Sequence, residues 1–79
     1  MLIEGFRLVR DAWQAGVRPQ TLFIAPELIG GNSAILTLVQ TIESHPIGTH
    51  PIDVVACSKP VFGRLAETVA PQGIAAIIP

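Results

Sequence analysis

Cysteine, charge and long apolar runs are all scarce in this chain of 79 residues. Its one cysteine, Cys57, cannot form an internal disulfide, which agrees with a reducing compartment. No stretch approaches the roughly 20 consecutive apolar residues that a membrane-spanning helix needs. No charged-apolar-cleavage pattern opens the sequence either. The expectation is a soluble, intracellular, cytoplasmic protein with no membrane partner. Charged residues make up only 14% and the net charge is −1. That balance argues against a strongly electrostatic nucleic-acid binder, so any RNA affinity has to come from a small local patch. No glycine-rich phosphate loop follows the first strand, which argues against a nucleotide site there. His45 and His50 flank a Pro/Gly loop without further ligands, so no metal is expected.

Apolar residues are plentiful, at 49% of the chain, and this composition argues against intrinsic disorder. The length allows one domain. A body this small buries only about 60% of its unfolded surface and is marginally stable. Its apolar content leaves room for a partner surface, either a second domain or another subunit.

The first residues organise the rest. Leu2-Ile3 reads as a strand, Glu4-Gly5 as a tight turn, and a helix follows over 5–15. Arg7, Arg10, Asp11 and Gln14 form a polar stripe at i, i+3, i+4, i+7, while Phe6, Leu8, Val9, Ala12 and Trp13 are apolar. Gly16 is placed to stop the helix, with Pro19 just beyond. A strand over 21–25 lies between Pro19 and Pro26, and a loop is expected over 26–31. Asn32 or Ser33 caps a second helix whose Ile35, Leu38, Val39 and Ile42 share one side. Pro46, Gly48 and Pro51 enforce a loop before a strand over 53–57. Ser58 caps a short helix that buries Val61, Phe62 and Leu65 and tolerates Pro60 in its first turn. A loop over 67–72 leads to a closing strand over 73–78. The order β-α-β-α-β-α-β implies an α/β layered domain with a four-stranded, largely parallel but mixed sheet. Continuously apolar strands suggest a sheet covered on both faces.

Two turns draw attention. Glu4 and Gly5 sit where open α/β sheets place ligands, although Glu4 could equally serve the positive end of the helix and Gly5 the turn. In Ala70-Pro71-Gln72-Gly73, Pro71 fixes the backbone, Gly73 permits close approach, and Gln72 presents an amide that donates and accepts. A purely structural turn explains this segment as well. Arg7 and Arg10 share a helix face and suit phosphate contacts, whereas an Arg7–Asp11 pair on a solvated face is the plainer alternative. Cys57 reads as a small buried hydrophobe, and Trp13 as core or as half core and half partner surface.

Taken together, Ile3-Glu4-Gly5-Phe6-Arg7-Leu8-Val9, Ala12, Ala15-Gly16-Val17 and Leu22-Phe23-Ile24 resemble the substrate-binding domain of the SpoU/TrmH RNA 2′-O-ribose methyltransferases. The later run from Val61-Phe62 through Leu65 to Pro71-Gln72-Gly73-Ile74 is similar to the same domain. The likeness covers nearly the whole chain. The opening Glu-Gly-x-Arg and the closing Pro-Gln-Gly carry it jointly; the family's usual Thr-Pro-Gln-Gly has Ala70 in place of the threonine.

The resemblance implies a fold like the ribosomal-protein-like domains that bind kink-turn RNA. It implies a domain over 1–79 that grips ribosomal or transfer RNA for a C-terminal knotted methyltransferase domain. That second domain would bind S-adenosylmethionine and dimerise; its signatures are absent from this sequence, so the chain by itself is expected to be catalytically silent and without cofactor. The expected RNA-facing residues are Glu4, Gly5, Arg7, Arg10, Gln72 and Gly73. An antiparallel pairing of first and last strands would bring the two turns to one end. Two other readings remain open here: a stand-alone RNA-binding or ribosome-associated module of the same fold, and a protein-interaction domain.

Overall fold

The structure, a computed structural model, describes residues 1–45, 52–66 and 71–79. The expected loop residues Pro46, Gly48, His50 and Pro51, and Ala70 of the second turn, lie outside the described residues. The chain runs β1 (Leu2–Glu4), α1 (Phe6–Gln14), β2 (Thr21–Ile24), α2 (Pro26–Ile29), α3 (Ser33–Ser44), β3 (Asp53–Ala56), α4 (Lys59–Ala66) and β4 (Ile74–Ile77).

The four strands form one mixed sheet in the order β1-β4-β2-β3. β1, β2 and β3 run one way and β4 runs against them. Only the β2–β3 pairing is therefore parallel, while β4 is antiparallel to both of its neighbours. Registers such as Glu4↔Ala75↔Phe23↔Val55 place one residue from each strand on the same face.

Both long helices have local causes. α3 starts where the Asn32 side chain accepts the Ala34 and Ile35 N–H groups at 3.1 and 3.2 Å. Its Ile35, Leu38, Val39 and Ile42 are all buried. α1 ends in two bonds of the Schellman pattern, Gly16 N–H to the Trp13 carbonyl and Val17 N–H to the Ala12 carbonyl. These helices cover one face of the sheet and build the larger core, with Val9, Leu22, Ile74 and Ala76 between them. α4 covers part of the other face, where Phe62 is fully buried against Ala25 and Ala75.

Several expectations need correction. Residues 26–31 are not simply a loop, because Pro26 opens a one-turn helix. Proline presets the helical φ at this position and has no N–H to leave unbonded. Leu8 and Val61 are each 56% exposed. Each lies about 100° round its helix from the buried residue that follows it, Val9 or Phe62, and so falls at the margin of the apolar stripe. β3 is exposed throughout, with Val54 at 37% and Val55 at 40%. It is an edge strand, and a helix about 10 Å across spans only about two strands set 4.8 Å apart. Two-sided burial holds for central β4, where Ile74, Ala75 and Ala76 are all buried.

Candidate functional site

The antiparallel β1–β4 pairing puts the end of β1 beside the start of β4. The turns at Glu4-Gly5 and Pro71-Gln72-Gly73 therefore meet at one end of the sheet, as an antiparallel pairing requires.

Both glycines are structural necessities. Gly5 has φ 101° and ψ 152°, a conformation open essentially to glycine alone, and its N–H donates to the Ile74 carbonyl at 2.9 Å. Gly73 has φ 98°, and a Cβ there would meet Ile29 Cγ1 at 2.9 Å, Leu28 Cβ at 3.0 Å and the Ala25 carbonyl oxygen at 3.1 Å. Its own carbonyl accepts the Ala25 N–H at 2.8 Å. Gly73, just before β4, thus lies tight against α2. Its role in packing is clear, and its buried position gives a ligand little to touch.

Gln72 ties the two turns together. The Phe6 backbone N–H, the first of α1, donates to Gln72 Oε1 at 2.7 Å. Gly5 itself offers α1 no side-chain cap, so the cap comes from 66 positions away. Partial burial pushes the Glu4 carboxyl above its ordinary value, and the nearby Gln72 backbone opposes that rise.

The arginines differ from one another. Arg10 donates from Nε and Nη2 to Asp11 Oδ1 at 3.1 and 3.0 Å, and its guanidinium carbon lies 5.3 Å from the Phe6 ring centroid. This is the one ion pair among the described residues, so Asp11 pairs with Arg10 and not with Arg7. Arg7 is exposed, one residue beyond the capped N–H. Arg18, at the far end of α1, stacks 4.0 Å from the Trp13 ring centroid and donates to the Trp13 carbonyl. Trp13 also meets His45 edge-on at 5.1 Å, so it is half core and half braced by polar neighbours.

Sequence reasoning singled out Glu4, Gly5, Arg7, Arg10, Gln72 and Gly73 and expected their two turns at one end of the sheet. It missed that Phe6 receives the Gln72 cap and carries the Arg10 guanidinium. The i, i+4 spacing of Phe6 and Arg10 was the available signal for the second contact. The concavity bounded by Ile3, Val9, Trp13, Ile42 and Ile78 is lined by apolar side chains.

A small mixed sheet with helices on both faces, its two end turns tied in a clasp by the Phe6–Gln72 bond, defines an α/β domain. The family model described as the MRM3-like substrate binding domain matches residues 1–76, and the chain belongs to that family. It is thus the substrate-binding part of the MRM3-like methyltransferase family. No curated protein matches the chain.

Proposed function

We propose that this chain is the RNA-gripping domain of a SpoU/TrmH-type, S-adenosylmethionine-dependent RNA 2′-O-ribose methyltransferase. The family match over residues 1–76 carries the reading. The clasp supports it by setting Arg7 and the Gln72 amide at the end of the sheet where the two turns meet. The partner RNA is ribosomal or transfer RNA, bound in the cytoplasm. The methyl donor belongs to a C-terminal methyltransferase domain, through which the enzyme dimerises. The role of the present residues is to hold RNA, with no catalytic step of their own.

Arg7 supplies a phosphate contact, and Arg10 a weaker one because Asp11 already opposes its charge. With so few cations, affinity is low and the salt slope shallow, consistent with about two phosphate contacts. The test is titration of a fluorescein-labelled hairpin RNA by fluorescence anisotropy over a salt series, with circular dichroism as the fold control. Salt-dependent binding that is lost when Arg7 and Arg10 are both replaced by Glu is the expected result. Absence of salt-dependent binding by the folded parent, or equal binding by the folded double variant, overturns the reading.

A further inference from the structure

The Gln72 side chain has two chemically different ends, and the fold uses only one. Its oxygen is committed at 2.7 Å to the Phe6 N–H. A backbone N–H can only donate, so this contact fixes which end of the amide faces the helix. A Cβ on Gly5 would sit at ordinary contact distance from this amide, 3.5 Å from Oε1 and 3.8 Å from Cδ, so the amide packs closely over the turn. What remains is the Nε2 amide nitrogen, on an exposed residue, with no acceptor among the described residues.

We infer that Gln72 acts at this site as a hydrogen-bond donor, its Nε2 engaging an acceptor atom of RNA. This rests on the RNA-binding reading above. A free glutamine side chain could accept from an exocyclic base amine as readily as it could donate. With the oxygen turned to the helix, the unpaired end of the amide is its donor nitrogen, so the site favours phosphate oxygens, ribose oxygens or base carbonyls and ring nitrogens over a base amine. Because the same oxygen caps α1, the donor is held in fixed relation to the start of the helix that bears Arg7.

Two substitutions separate the donor from the cap. Gln72→Glu keeps an oxygen for the Phe6 N–H and places negative charge at a helix N-terminus, but removes the donor. Gln72→Met removes donor and cap without adding charge. The probe is the labelled hairpin RNA, titrated into parent and variants of the full chain at a temperature where circular dichroism shows each folded. Both variants should bind about three- to tenfold more weakly, as expected for one lost hydrogen bond. The thermal midpoint should fall in Gln72→Met and hold or rise in Gln72→Glu. Labelled oligo(U) and oligo(A) then locate the acceptor: an equal loss on both assigns phosphate or ribose, and a loss on one assigns its base edge. If either folded variant binds like the parent, the donor inference is overturned while RNA binding by the parent stands. If the folded parent itself binds no RNA, the functional reading fails instead.

Discussion

The Phe6 amide nitrogen and the Gln72 side-chain oxygen lie 2.7 Å apart, although 66 positions separate the two residues in sequence. This bond joins the first turn of the chain to the last. It helps explain how a sheet of three- and four-residue strands keeps a defined end. The helix begins where the final strand begins, so a perturbation of either turn is felt at the other.

Gly73→Ala should be the most damaging single methyl in the clasp. It combines a positive φ with three contacts of 2.9, 3.0 and 3.1 Å, two of them to α2 side chains and one to backbone. Strain and overpacking of about 1–3 kcal/mol each predict a loss of about 2–6 kcal/mol. Gly5→Ala meets nothing closer than 3.5 Å, so only the strain applies. Its cost should be about 1–3 kcal/mol. Urea unfolding of both variants checks the order. Equal losses would mean that the contact with α2 relaxes without cost.

Glu4 makes the clasp sensitive to pH. Its carboxyl titrates above the ordinary value of 4.5 in the folded chain, chiefly because burial disfavours the charge. The folded protein therefore binds more protons than the unfolded chain in the window just above that value. Stability contributed by Glu4 is present when it is protonated and declines as pH rises through the folded pKa. Glu4→Gln should flatten this part of the stability–pH curve and leave neutral-pH stability equal or slightly higher. Thermal melts from pH 4 to 7 measure it; a variant whose curve parallels the parent's would remove Glu4 from the account.

Much of the frame was legible from sequence because local signals agreed. Asn32 followed by Ile35, Leu38, Val39 and Ile42 gives both the cap and the buried side of α3. What escaped was decided by neighbours remote in sequence. Nothing near β3 says that it lies at an edge, yet that position exposes Val54 and Val55. Val61 and Leu8 look apolar enough to be core, but each lies at the margin of its stripe, with the adjacent Phe62 or Val9 buried instead. At the site, the residue types were readable, while the Phe6–Gln72 bond and the choice of Arg10 as the partner of Asp11 depend on the folded geometry.

Phe62 is the test of the thinner core. It is fully buried between α4 and the sheet, against Ala25 and Ala75. Phe62→Ala should cost about 3–5 kcal/mol, a large part of the stability of so small a domain. Val61→Ser, one residue earlier and exposed, should change stability by no more than about 0.5 kcal/mol. Thermal unfolding of the pair decides it, and a large loss at Val61 would show that this residue is covered in solution.

The ion pair at Arg10 gives the sharpest test of the proposed RNA-facing patch. Asp11 takes both donated bonds from Arg10, so one of the two arginines on this helix face is already opposed by a carboxylate. Exposed pairs of this kind contribute only about 0.2–1 kcal/mol to folding. Asp11→Asn should therefore leave the fold intact. It also brings the net charge from −1 to 0, since six acidic residues become five against five basic ones. The freed guanidinium remains over the Phe6 ring, one turn along the helix from the capped N–H. Asp11→Asn should then tighten RNA binding and steepen the salt slope by about one phosphate contact. Arg7→Glu should weaken binding more than Arg10→Glu does, because Arg7 has no such opposing partner among the described residues. Anisotropy titrations of the three variants over one salt series make the comparison. If Asp11→Asn leaves both affinity and slope unchanged, Arg10 does not face the RNA and the patch reduces to Arg7 and Gln72.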